Sequence, residues 1–107
     1  MAAFRLSRRA EADLLGIATY TLRTWGEEQT IHYIDDLEAC CQMLADNPAQ
    51  GRSSQQVLPG LRRMEHGKHV VFYRQETAGI VVSRILHQRG LPSASVFDDQ
   101  DQESQLE

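Results

Sequence analysis

The chain has 107 residues, 41% of them hydrophobic, and a formal net charge of -4. That is the size of one domain with one modest core, and it is too apolar for a disordered chain. No run approaches the ~18 consecutive apolar residues of a membrane helix, and Met1-Ala2-Ala3-Phe4-Arg5 lacks the apolar segment of a signal peptide, so a cytoplasmic protein is expected.

The charge is unevenly spread. Residues 1–48 carry 4 basic and 8 acidic side chains, residues 49–97 carry 7 and 2, and residues 98–107 carry none and 5. An acidic front, a basic back and an acidic tail point to charged partners, with plain solubility as the alternative. The two cysteines, Cys40 and Cys41, are adjacent. Neighbouring helical positions point about 100° apart, so the pair cannot easily bridge. A disulfide framework is excluded, and core packing is the expectation for one of the two.

In chain order, Phe4-Arg5-Leu6 alternates as a short edge strand. Ser7 is placed to cap a helix from Arg8 to Trp25. Leu14, Ala18, Leu22 and Trp25, widened by Ile17, mark its apolar stripe, and Gly26 is placed for a left-handed cap. A second helix is expected over about residues 28–45, burying Ile31, Ile34, Leu37, Cys41 and Leu44, with Glu27 and Glu28 at its positive end. Asp46-Asn47-Pro48 stops it. The short link makes the helices an antiparallel hairpin. Residues 47–60 read as a loop. The period then falls to two, predicting strands over 61–65, 68–75 and 80–88 with turns at His66-Gly67 and Thr77-Ala78-Gly79.

The sum is an α+β domain over residues 1–97: an N-terminal strand and a helical hairpin on one face of a three- to four-stranded, mainly antiparallel sheet. Residues 98–107 are expected as a disordered acidic tail. The sheet face away from the helices is where function is expected.

Three constellations carry chemistry. The histidines His32, His66, His69 and His87 lack the spacing of a metal site, so no metal or other cofactor is expected. Asp35, Asp36 and Glu38 read as a solvated helix face. The strands carry Arg62, Arg63, Lys68, Arg74, Arg84 and Arg89, interleaved with His66, His69, His87 and Tyr73. Such a set attracts phosphates or acidic protein surfaces. It could also build an acid–base nuclease, in which cations stabilise a pentacoordinate phosphate. Charged residues on one wet sheet face are the ordinary alternative.

Several motifs resemble ParE toxins of the RelE/ParE superfamily. They are Ala10-Glu11-Ala12-Asp13-Leu14, Tyr20, Trp25-Gly26, Tyr33 and Leu37; then Leu44-Ala45-Asp46-Asn47-Pro48 with Gly51-Arg52; then Leu58-Pro59-Gly60-Leu61-Arg62, Val71-Phe72-Tyr73-Arg74 and Arg84-Ile85-Leu86-His87-Gln88-Arg89. They run in order from about residue 4 to residue 89. The resemblance implies a helical hairpin on an antiparallel sheet. It also implies inhibition of DNA gyrase by direct binding, without catalysis by this chain. A ParD-like antitoxin would silence it, dimerising through a DNA-binding part and wrapping the toxin with a disordered segment. Operator DNA would then be touched only through the antitoxin, and such pairs stabilise plasmids. One departure is Gly90-Leu91-Pro92, where many members continue with Met-Asp or a similar pair.

On this reading Arg62, Arg63, Lys68, Arg74, Arg84, His87 and Arg89 are the expected target-binding residues, and Tyr20, Trp25 and Tyr33 the expected antitoxin contacts. The alternative is a ribosome-dependent mRNA endonuclease of RelE type using His87, Arg84, Arg63 and Lys68, although Lys68 is the sole lysine. A third reading is a degenerate toxin kept as an antitoxin-binding module.

Overall fold

The computed structural model describes residues 2–89; the Gly90-Leu91-Pro92 departure and the acidic 98–107 segment lie outside them. The elements are β1 (Ala3–Leu6), α1 (Arg8–Trp25), α2 (Glu27–Asp46), a 3-10 turn (Pro48–Gln50), β2 (Arg52–Ser53), β3 (Arg62–His66), β4 (His69–Glu76) and β5 (Gly79–His87).

Ser7 starts α1 by accepting the Ala10 N–H at 3.1 Å, and its hydroxyl donates to the Ser83 carbonyl at 2.8 Å. The cap therefore also ties the helix to the sheet. Gly26 is the whole link between the helices, with φ 90 and ψ 175, and its N–H donates to the Leu22 carbonyl. The positive φ is as expected, but the ψ is extended rather than left-handed helical, a region open chiefly to glycine. Glu27 and Glu28 occupy the first turn of α2, where the helix dipole favours them.

The sheet has five strands in the order β1-β5-β4-β3-β2. β2 to β5 pair antiparallel, and β1 lies parallel on the β5 edge with Ala3 opposite Gly79 and Leu6 opposite Val82. Gly79 has φ 152, and a side chain there would collide with the Ala3 backbone, so β1 can dock only on a glycine. The expected 47–60 loop holds the 3-10 turn and β2. β2 has two residues and no apolar alternation, so pairing of Arg52 with Arg63 and Ser53 with Arg62 creates it rather than local pattern.

The main core joins Ala10, Ile17, Leu37, Cys40, Cys41, Leu44 and Ala45 of the helices to Val71, Tyr73, Ile80, Val82 and Ile85 of the sheet. Both cysteines are buried, not one, because the helix face against the sheet is wide enough for adjacent positions. Burial pushes the Cys41 thiol up to about 12 and raises Cys40 as well, so both are inert apolar filler.

The expected α1 stripe is corrected. Ala10, Ile17 and Thr21 are buried and Leu14 packs against them, whereas Leu22 and Trp25 are 51% and 65% exposed. On α2, Leu37, Cys41 and Leu44 are buried as expected, but Ile31 is 55% exposed. Burial ends at Thr21 on α1 and resumes around Tyr33 and Ile34 on α2. The turn end of the hairpin therefore extends past the core and leaves its apolar residues in solvent.

The sheet face away from the helices is not bare. A second cluster joins buried Leu61, Val70 and Phe72 to Val57, Leu58 and Leu86. The segment leading into β3 thus covers part of the face that the sequence reading left open.

Candidate functional site

Residues directly opposite each other on neighbouring strands present side chains to the same face. One row across the outer face is Arg63, Phe72 and Arg84; the next is Arg5, Val81 and Arg74. Four guanidinium groups therefore flank Phe72 and Val81. A register shift between Phe72 and Tyr73 decides the place of Arg84. Tyr73 pairs with Val82 and Phe72 with Arg84, so Ser83 is an extra residue. Strict alternation from Val82 would have turned Arg84 toward the helices; the bulge turns it outward and lets Val82 and Ile85 both face the core.

Arg84 is held by Asp13 of α1, with Nε–Oδ2 2.7 Å and Nη2–Oδ1 2.8 Å. Asp13 Oδ2 also accepts the Ile85 N–H at 3.0 Å. β1 stops opposite Val82, so this stretch of β5 has no strand beside it, and a helix carboxylate satisfies its backbone instead. The Asp13 hydrogen bonds hold the Arg84 pKa above its usual value, against the opposing effect of burial. Arg5 is paired with Glu76 at 2.9 and 3.1 Å. Arg63 lies 3.9 Å from Glu65, which Arg52 binds at 2.5 Å. Half-buried Arg74 completes the band.

The seven expected target-binding residues do not form one surface. Arg62 pairs with Tyr73 on the helix side and donates to the Gly51 carbonyl at 2.7 Å. There it helps fix the chain that enters β2. The Tyr73 hydroxyl does the same work, accepting the Gly51 N–H at 2.9 Å and donating to the Pro48 carbonyl at 2.7 Å. Lys68 and Arg89 are exposed at the end of the sheet, near each other through the Gln88 N–H bond to the Lys68 carbonyl at 2.9 Å.

His66, His69 and His87 stand side by side on three strands, His66 opposite His69 and His69 opposite His87. The His69 and His87 rings meet edge to face at 5.5 Å. The Tyr33 hydroxyl of α2 lies 2.6 Å from His69 Nδ1 and donates to the His66 carbonyl at 3.2 Å. Partial burial, aided by His87 and His66, pushes the His69 pKa down. Among the described residues no group of three or more His, Cys, Asp or Glu side chains could hold a metal ion. His87 Nδ1 accepts the Arg89 N–H at 3.2 Å. This row faces the helix side, so His87 is separated from Arg63 and Arg84, which face outward. The nuclease constellation is not brought together.

Of the expected antitoxin contacts, Trp25 and Tyr20 are 65% and 67% exposed, whereas Tyr33 is half-buried with its hydroxyl engaged. His32, Asp35, Asp36 and Glu38 are exposed on α2. Sequence reasoning missed Asp13, whose signal was a carboxylate beside the apolar face of a helix. It also missed Leu15 and Ile31 as exposed apolar residues. No helix among the described residues is long and apolar enough to cross a membrane.

A helical hairpin thus covers one side of a small, mostly antiparallel sheet, and arginines gather on the other. A solved structure titled "Chromosomal ParDE TA system from P. aeruginosa" shares this fold at TM-score 0.68 and 24% identity, covering 81% of this chain and 96% of that one. Residues 4–92 match the family model described as ParE toxin of type II toxin-antitoxin system, parDE. Toxin ParE1 of Caulobacter vibrioides is 43% identical over 88 residues, spanning 82% of this chain and 91% of the relative. Toxin ParE1 of Mycobacterium tuberculosis is 37% identical over 87 residues, 80% and 89% of the two chains. Toxin ParE of Escherichia coli is 38% identical over 91 residues, 83% and 87%. The chain belongs to the ParE toxin family of type II toxin–antitoxin systems.

Proposed function

We propose that this ParE-family toxin arrests growth by binding DNA gyrase directly, without catalysis of its own, and that a co-encoded ParD-like antitoxin neutralises it. The observation that carries the reading is the band of Arg5, Arg63, Arg74 and Arg84 on one sheet face around Phe72. Phe72 is buried, so the chemistry this band offers is cationic, which suits an acidic macromolecular partner. Within the chain Arg84 pairs with Asp13, Arg5 with Glu76, and Arg63 lies 3.9 Å from Glu65, while Lys68 and Arg89 are exposed past the sheet end and extend the cationic surface. The antitoxin takes the protruding hairpin end, where Leu22, Trp25 and Ile31 are exposed within five residues of Gly26. Apolar anchors of this kind suit an amphipathic segment that orders on binding.

The test is supercoiling by gyrase titrated with purified toxin. Inhibition is expected, and Arg63→Gln with Arg74→Gln should weaken it by about tenfold or more, in line with loss of two interfacial cations. Trp25→Ala should leave inhibition intact and weaken antitoxin capture. Unchanged supercoiling at large molar excess of toxin sinks the gyrase assignment.

A further inference from the structure

We propose that the acidic segment of this chain at residues 98–107 docks on the outer face of the sheet and there competes with the acidic target. Asp98, Asp99, Asp101, Glu103 and Glu107 carry its charge, and no basic residue stands among them. The segment lies outside the described residues, and the two surfaces open to it differ sharply in charge. In the helical layer, α1 and α2 carry eight carboxylates and only three arginines. Like charge repels the segment from that side.

The outer sheet face has the opposite sign. Each of the five strands places an arginine on it: Arg52 stands beside Arg63, Arg63 and Arg84 flank Phe72, and Arg74 and Arg5 flank Val81. Lys68 and Arg89 add two exposed cations at the sheet end. The carboxylates that meet this set are Glu65, Glu76 and Asp13, so cations outnumber them seven to three. Among the described residues the exposed large hydrophobics, Leu15, Tyr20, Leu22, Trp25, Ile31 and Met43, all stand on the helices. The sheet face therefore offers charge alone, and residues 98–107 answer with charge and one apolar side chain, Leu106.

Chain length permits the contact. Arg89 is held near Lys68 by the Gln88 N–H bond to the Lys68 carbonyl at 2.9 Å. Asp98 is nine residues further on, and nine residues span at most about 30 Å. Counted back from Arg89, Arg84 lies five residues away, about 17 Å, and Val81, between Arg74 and Arg5, lies eight residues away, about 27 Å. The first carboxylates thus reach both rows, and the Arg84 row with slack. A segment on the same chain acts at an effective concentration on the order of millimolar. Exposed ion pairs that are weak one by one and screened by salt then suffice to hold it, an advantage that a separate acidic peptide lacks. The competition rests on the reading of this face as the target surface; the docking does not.

The test compares backbone amide shifts of the full chain with those of a variant carrying Asp98→Asn, Asp99→Asn, Asp101→Asn, Glu103→Gln and Glu107→Gln. Differences are expected at Arg52, Arg63, Arg74, Arg84 and their strand neighbours. They should persist on dilution and vanish in ~1 M salt, where the screening length falls to ~3 Å. A second variant, with about forty Gly and Ser residues inserted before Asp98, keeps the charge and lowers the effective concentration about tenfold. Its sheet shifts should approach those of the neutralised chain. Both variants should inhibit gyrase at about threefold to tenfold lower concentration than the native chain, the factor for a face covered roughly two-thirds to nine-tenths of the time. Differences confined to residues beyond 89, differences on α1 or α2, or differences that fade on dilution overturn the docking. Sheet differences with equal inhibition by all three chains overturn the competition. Sheet differences with no inhibition by any of them leave the docking standing and sink the gyrase reading instead.

Discussion

Asp13 accepts three hydrogen bonds on a single carboxylate. It binds Arg84 through two oxygens and fills a backbone donor that no strand reaches. The two side chains are only 14% and 16% exposed, so removing one leaves the other's charge poorly solvated. Asp13→Ala is expected to cost about 2–4 kcal/mol in urea unfolding, from a stranded guanidinium and an unmet N–H. Asp13→Asn should fall between, keeping the backbone acceptor and losing the charge pair. A cost for Asp13→Ala within the ~0.5 kcal/mol of ordinary surface changes would show that β5 needs no help at this edge. The same residue lowers the charge that Arg84 offers a target, so its role in the site is positional.

β1 shows how an element is made by its neighbour. Four residues with alternating exposure would not hold a strand alone. β5 supplies the parallel register, and Gly79 supplies the room. Gly79→Ala should detach β1 at the Ala3 end, since its side chain would occupy the Ala3 backbone. The expected readout is faster amide exchange at residues 3–6 and a lower melting temperature, with the helical signal retained. Unchanged protection at Phe4 and Leu6 would refute this account of the edge. The bulge at Ser83 is a second case, because one unpaired residue decides which face receives Arg84.

For the whole molecule, the histidine row couples the helical layer to the sheet. Tyr33 on α2 holds His69 on β4, and His66 and His87 flank it. Folding lowers the His69 pKa from the ordinary 6.5. The unfolded chain therefore binds a proton before the folded one does. Stability from this group is complete above about pH 6.5, falls as pH drops toward the folded pKa, and changes no further below it. Urea midpoints should decline between pH 7.5 and 5.5, and His69→Gln should flatten that decline. An equal slope in wild type and variant would remove His69 from the pH response.

The sequence by itself determined the two helices, their hairpin, the three long strands and the family. These depend on local periodicity, on Ser7 and Gly26 at helix ends, and on ordered motifs, all of which are written along the chain. Sequence named Tyr20, Trp25 and Tyr33 as antitoxin contacts and also placed Trp25 in the apolar stripe; the fold leaves Tyr20 and Trp25 exposed and Tyr33 half-buried. Tertiary structure alone decided which arginines share a face. Arg62 and Arg63 are neighbours yet point to opposite sides, while Arg5, Arg63, Arg74 and Arg84 come from four strands to one side. Composition reports how many charges a segment carries; strand register and a single bulge set their direction. Likewise, the apolar stripe of α1 was periodic to its last turn, but the core ends at Thr21, because burial depends on where the sheet stops.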